Sequence, residues 1–291
     1  MKISDILKKN TPTLSFEVFP PKTSDSFETV KTATEAIADS HPDFMSVTYG
    51  AGGSTDKYTL EICRNLLNKT GVTPLAHQTC VDSTKKSVRT RLDEFRAAGI
   101  ENIMALRGDI PKEPRLPREK WAYAHANELM REIKEYGGFC IGGACYPEKH
   151  PESPSRGEDI AYLKEKEACG CDFLTTQMFF DNNILFNFLY HLREAGVKIP
   201  VVAGIMPVTN VSQMKRIIQI SGTDLPQRFK ALLDRFGDTP EAMKQAGIAY
   251  ATDQIIDLYA NGVNHVHVYT MNKPDVAAKI MQNLSVIIGK V

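Results

Sequence analysis

The chain has 291 residues, 42% of them hydrophobic, and its 35 lysines and arginines balance 35 aspartates and glutamates. That length suits two ordinary domains or one large α/β barrel, and the apolar fraction is enough for a real core. Zero net charge lacks the basic footprint of a nucleic-acid binder, and no apolar run is long enough to span a bilayer.

The first ten residues mix Lys2, Asp5, Lys8 and Lys9 with Ile3, Ile6 and Leu7. They read as a short amphipathic helix rather than a secretory signal, which needs an unbroken apolar stretch, so a cytoplasmic location is expected. Leu14 to Phe19 reads as a strand that Pro20 and Pro21 end. Alternation puts Leu14, Phe16 and Val18 on one face and Ser15, Glu17 and Phe19 on the other. A carboxylate therefore sits inside an apolar strand, near its C-terminal end. Taken alone, that segment suits an edge residue or half of an ion pair better than catalysis.

Asp25 or Ser26 is expected to cap a helix through the Thr29 to Ile37 region. A second strand spans Asp43 to Tyr49, and a helix runs from about Thr55 to Asn68. A third strand covers Thr73 to Cys80. Thr84 then caps a helix whose Val88, Leu92 and Phe95 share one face. The fourth strand, Asn102 to Arg107, runs into Gly108-Asp109. A proline-rich loop leads to a helix from about Trp121 to Tyr136, and the fifth strand is Phe139 to Tyr146. A helix to Ala168, a strand from Asp172 to Phe179, a helix capped by Asp181 and a strand from Pro200 to Ile205 follow. The eighth strand is His265 to Thr270, and a last helix covers Pro274 to Ile288, with proline tolerated in its first turn.

The strand starts recur every 28 to 37 residues, except the last interval, which is about double. It has room for extra helices near Val211 to Ile220, Pro226 to Phe236 and Pro240 to Ala260. Eight strands alternating with helices predict a (β/α)8 TIM barrel in one domain over residues 1–291, with extra helices between strands 7 and 8. A doubly wound nucleotide-binding sheet would want a Gly-x-Gly-x-x-Gly turn, and the Gly50 to Gly53 segment breaks that pattern at Thr55. No Walker phosphate loop is present either.

Barrel active sites form at the C-terminal ends of the strands. Those ends carry Glu17, Thr48, His77, Arg107-Gly108-Asp109, Tyr146, Gln177, Gly204 to Pro207 and Tyr269. Strand eight also places His265, His267 and Tyr269 on one face. So polar a ring suits a solvated polar ligand. Arg107, with His150, Lys164 and Lys166, could hold a pyrophosphate; an internal pair of Arg107 with Asp109 is an equally good account of that arginine. Glu17 and Asp109 are the acids able to share proton work. His77 and His150 lack the spacing of a metal site, so no metal is expected. The six cysteines, Cys63, Cys80, Cys140, Cys145, Cys169 and Cys171, form no CxxC pair, and no structural disulfide is expected.

Eight motifs occur in order: Ser15 to Lys22, Val47 to Ala51, His77 to Cys80, Ala105 to Asp109, Tyr146 to Glu152, Thr176 to Asp181, Gly204 to Pro207 and Tyr269 to Asn272. Together they resemble the methylenetetrahydrofolate reductase family in its short, single-domain bacterial form, over about Leu14 to Met281. The resemblance implies non-covalent FAD and hydride transfer to methylenetetrahydrofolate, giving methyltetrahydrofolate. NADH is the expected electron donor, with NADPH or an electron-transfer partner protein as alternatives, and a homo-oligomer is expected. By similarity Glu17 is the general acid, Asp109 sits beside flavin and pterin, and Gln177, Gln213, Tyr269 and Lys273 meet the folate. The flavin site would use Thr48, Tyr49, Ala51, His77, Arg107, Gly108, Asp109, His125, Ala126, Tyr146, His150, Asp159, Tyr162 and Lys166. The chain departs from the family's usual pattern at His125, Tyr162, Lys273 and Ile217, where the family often has Tyr, Asn, Arg and, in some members, Phe. Two other readings are another flavin barrel, such as one oxidising an amino acid, and a folate-binding or electron-transfer subunit active only in a complex. Gln177, Gln213 and Lys273 suit a pterin with a carboxylate tail, and the set Glu17, Asp109 and Gln177 argues against a non-catalytic role.

Overall fold

Eight parallel strands close into a barrel in sequence order: β1 Thr13–Val18, β2 Met45–Val47, β3 Pro74–Thr79, β4 Asn102–Leu106, β5 Cys140–Cys145, β6 Phe173–Thr176, β7 Val201–Ile205 and β8 His265–Tyr269. The structure is a computed structural model, and it describes residues 1–291 apart from 22, 50–55, 112, 115, 213, 215–216, 219–222 and 291. The first strand meets the last, with Thr13 beside His265, Ser15 beside His267 and Glu17 beside Tyr269. The expected barrel is thus the observed one.

The helices are α1 Ile3–Ile6, α2 Phe27–Ala38, α3 Asp56–Asn65, α4 Lys85–Ala97, α5 Ala126–Tyr136, α6 Arg156–Ala168, α7 Asn182–Glu194, α8 Gln227–Phe236, α9 Pro240–Ala260 and α10 Pro274–Leu284. Residues 211, 212, 214, 217 and 218 are also helical. They and α8 and α9 supply the extra helices between β7 and β8. These pack through Phe180, Val208, Met214, Phe229 and Met243, with the Phe180 and Phe229 rings stacked at 4.6 Å.

Some boundaries differ from the sequence reading, each for a local reason. The fifth helix begins at Ala126, not Trp121, because the Glu128 carboxylate turns back to accept the Ala124 and His125 amides at 2.6 and 3.3 Å. Trp121 instead donates its indole N–H to the Leu116 carbonyl in the preceding loop. Ser26 precedes α2 without a side-chain cap, after a 3₁₀ turn at Ser24–Ser26. Thr84 and Asp181 do cap α4 and α7, accepting amides at 3.1 and 2.9 Å. All six cysteines are buried free thiols.

Two apolar layers result. Outward residues of the strands, among them Leu14, Phe16 and Val18, pack against the helices. Inside, Phe44, Leu75, Met104, Phe173 and Val202 fill the lower lumen, and Ile3, Ile6 and Leu7 of α1 join them from below. Burial of each such side chain contributes about 1.5–3 kcal/mol. A four-residue helix is too short to persist alone. Asn102 fixes it by accepting the Ile3 amide at 2.8 Å and donating to the Met1 and Pro74 carbonyls.

Candidate active site

The C-terminal mouth opens into a cleft of about 770 Å³ that leads down to a smaller cavity of about 270 Å³ inside the lumen. Tyr146, Gln177, Met178, Ala144 and Leu106 border both. Glu17 lies in the inner cavity, 8% exposed, at the end of β1. The backbone holds it there. Thr270 Oγ1 donates to the Glu17 carbonyl at 2.7 Å, and Asn272 accepts the Phe19 amide and donates to the Phe19 carbonyl. Met271 and Asn272 take left-handed φ of 53° and 56° to make that reach.

Around the carboxyl stand Ser46 Oγ at 3.2 Å, His77 Nε2 at 3.6 Å and His267 Nε2 at 3.9 Å from Oε2. Burial pushes the Glu17 carboxyl up to about 8, and it pushes His77 and His267 down to about 4 and about 3. At neutral pH the cluster is therefore a neutral acid beside two neutral imidazoles. His77 Nε2 and Thr175 Oγ1 are buried in this cavity without hydrogen-bond partners, so the cavity is built to receive polar atoms. Tyr269 donates to the Thr176 carbonyl at 2.6 Å, passing over Gly204, where a Cβ would come within 2.6 Å of the phenolic oxygen. Side-chain-free Gly204 is what lets the tyrosine cross β7.

The outer cleft carries cations and acceptors. Arg107 holds Glu152 in a two-bond fork at 2.5 and 2.8 Å, which keeps the Glu152 carboxyl down at about 2. Arg107 thus pairs with Glu152 rather than with Asp109, the partner in one of the two accounts the sequence allowed, because the loop after β5 brings Glu152 back to it. Lys166 donates to the Ala144 carbonyl at 2.7 Å, and burial lowers its pKa. Lys164, expected beside it, is exposed on the other side of α6, near Gly196. Two residues along a helix is about half a turn, so the two lysines cannot share a face. His150 accepts the Glu152 amide through Nδ1 at 3.1 Å, which leaves Nε2 to donate when the ring is neutral. Asp159 holds this loop by accepting the His150 amide and the Ser153 hydroxyl. Gly108, at φ 86°, brings its backbone against Thr79, where a Cβ would sit at 2.9 Å.

A family model described as methylenetetrahydrofolate reductase matches residues 2–285. The chain belongs to the methylenetetrahydrofolate reductase family. It is 33% identical over 273 residues to 5,10-methylenetetrahydrofolate reductase of Escherichia coli K12, covering 94% of this chain and 90% of that one. It is 34% identical over 300 residues to methylenetetrahydrofolate reductase (NADH) 1 of Arabidopsis thaliana, covering 98% of this chain. The chain spans about half the length of that plant relative. A solved Clostridium thermocellum protein, described as binding two copies of 5-methyl-5,6,7,8-tetrahydrofolic acid, superposes with a TM-score of 0.67 at 14% identity. It covers 99% of both chains and shares the fold.

Most residues that the methylenetetrahydrofolate reductase resemblance implied meet at this mouth. Tyr49, Arg107, Gly108, Asp109, His125, Ala126, Tyr146, His150, Asp159, Tyr162, Lys166 and Gln177 line the outer cleft, as does Ile217. Glu17, His77 and Tyr269 line the inner cavity. Asp109 is exposed at the rim, a level above Glu17. Thr48 lies outside both linings; its carbonyl accepts the Thr59 hydroxyl. Lys273 also stands outside them and donates to Thr209 Oγ1 at 2.5 Å. Ala51 and Gln213 lie outside the described residues. Ser46 was not among the sequence-expected site residues, and His267 stood only in the polar face of strand eight, with no role given to it.

Among the described residues no group of three His, Cys, Asp or Glu is placed to hold a metal. No described helix is long and apolar enough to cross a membrane.

Proposed function

We propose that the protein is an FAD-dependent 5,10-methylenetetrahydrofolate reductase with its whole catalytic apparatus at the barrel mouth. The observation that carries this reading is a neutral buried acid, Glu17, at the floor of a two-part cavity in a chain of this family. The outer cleft fits the flavin cofactor: it has the volume of a large ligand site, a glycine-backed wall at Gly108, and Arg107, Lys166 and His150 as cationic or donor groups for phosphates. FAD bound there would supply hydride to the folate's one-carbon unit and take electrons from NADH, the donor that the plant relatives' names carry.

The chain's own residues do the rest. Glu17, held protonated by burial, gives its proton to the folate nitrogen that departs as the five-membered ring opens, leaving an iminium able to accept hydride. The Gln177 carboxamide bonds to Tyr146 and can both donate to and accept from a pterin amide edge. Tyr269, tied to Thr176, forms part of the wall of the cavity that holds Glu17. The folate bound by the Clostridium thermocellum protein supports this use of the fold.

Anaerobic absorption spectroscopy tests the proposal. The reconstituted flavin is expected to bleach with NADH and to recover when methylenetetrahydrofolate is added. Protein that retains no flavin, or whose reduced flavin ignores the folate, overturns it.

A further inference from the structure

Four side chains stand in file across the lumen. Ser15 Oγ lies 3.0 Å from the Val266 carbonyl oxygen and 2.7 Å from His267 Nδ1. His267 Nε2 lies 2.9 Å from Ser46 Oγ, which lies 3.2 Å from Glu17 Oε2. Phe44 stacks on the His267 ring at 5.6 Å and 11°, which fixes the plane of the imidazole. All four residues are buried.

The hydrogens in this file can be counted. A carbonyl only accepts, and a serine hydroxyl has one hydrogen to give. With the Ser15 hydrogen placed on the Val266 carbonyl, His267 Nδ1 is the donor to Ser15. Burial keeps His267 uncharged, so its Nε2 carries only a lone pair. Ser46 therefore spends its single hydrogen on Nε2. What remains between Ser46 and Glu17 is a bond in which Ser46 accepts, and only a carboxylic acid can donate it. The reverse polarity, in which Ser46 donates to Glu17 and favours the carboxylate, requires the other tautomer of His267, with the hydrogen on Nε2 and Ser15 donating to Nδ1.

We propose that Ser46 and His267 are positioning residues that hold Glu17 as a neutral acid through a hydrogen-bond file ending on the Val266 carbonyl. The proposal rests on Glu17 serving as the acid of the proposed reaction. The other groups facing the carboxyl leave this polarity intact. His77 of β3, at 3.6 Å, is beyond hydrogen-bond reach and is uncharged through burial. Tyr269 of β8 gives its hydrogen to Thr176, and Tyr146 and Gln177 line the same cavity as uncharged groups. Among the described residues no lysine or arginine pairs with Glu17.

Two measurements read the file directly and need no turnover. Nitrogen-15 NMR of histidine-labelled protein is expected to show His267 protonated on Nδ1; protonation on Nε2 overturns the proposal. Infrared titration is expected to show a protonated-carboxyl band lost near pH 8 and missing in Glu17→Gln. In Ser46→Ala the band should be lost about one pH unit lower, because the acceptor of the carboxyl hydrogen is gone. The opposite polarity predicts a rise, so a rise or no shift overturns the proposal. His267→Phe, which frees the Ser46 hydrogen to turn to Glu17, should move the band the same way. Should that variant not fold, Ser46→Ala and the NMR tautomer still decide the matter. If wild-type reduced flavin is not re-oxidised by the folate, the proposed reaction fails while the band still reports the file.

Discussion

One step of two residues along three of the strands changes the character of the lumen: Phe44, just before β2, gives way to Ser46, Leu75 to His77 on β3 and Phe173 to Thr175 on β6. That step is about 7 Å along a strand. The lower layer is apolar and is closed from below by Ile3, Ile6 and Leu7. The upper layer holds an acid, two histidines and polar atoms without partners. The lower layer closes the barrel and stabilises it, so the upper layer can carry groups that cost stability.

The strongest way to break this comparison is Glu17→Gln. The folate half-reaction should fall about 10²–10⁴-fold, the usual contribution of a general acid, while flavin retention and bleaching by NADH persist. Near-normal folate turnover would take Glu17 out of the acid role. Phe173→Ala should do the reverse. It should lower unfolding stability by about 3–5 kcal/mol in a denaturant titration and leave the pH profile of the folate step unmoved.

pH sharpens the comparison further. Glu17 has a raised pKa, so the folded chain binds more protons than the unfolded chain between about 4.5 and about 8. Its effect is to lower stability as pH rises through that window, by up to roughly 5 kcal/mol, and Glu17→Gln should flatten that slope. The same titration should make the folate step decline above about pH 8. His77 and His267 have lowered pKa values, so their stabilising effect is present above about 6.5 and is lost as pH falls toward about 4 and about 3. A pH series of unfolding midpoints checks both limbs. The smallest effect belongs to the rim. Glu152→Gln releases the Arg107 fork and should tighten flavin retention by about threefold, within the roughly 1 kcal/mol of an exposed ion pair. Retention unchanged or weakened in that variant would mean the fork is not available to the cofactor's phosphates.

The order of strands was legible because the units announce themselves locally, by an apolar run and, at some helices, by a cap such as Thr84 or Asp181. Glu17 was legible because a carboxylate in an apolar strand is conspicuous. What the sequence hid was pairing at a distance. Ser46 and His267 are 221 positions apart and meet only through β1 lying between them. Arg107 sits two residues from Asp109 yet binds Glu152, which a loop carries back to it. Helix starts slipped for a similar reason, since the Glu128 side chain rather than the backbone pattern decides where α5 begins.

The pairing of β1 with β8 also sets an order in time. Thr13 to Glu17 are synthesised long before His265 to Tyr269, yet they wait for them before the barrel can close. A nascent chain that has made β1 to β7 carries Glu17 on an open edge, in water, where its carboxyl behaves like any other. The acid proposed to do the chemistry thus comes into being only when the last strand arrives, so a half-made chain has the residue without its reactivity.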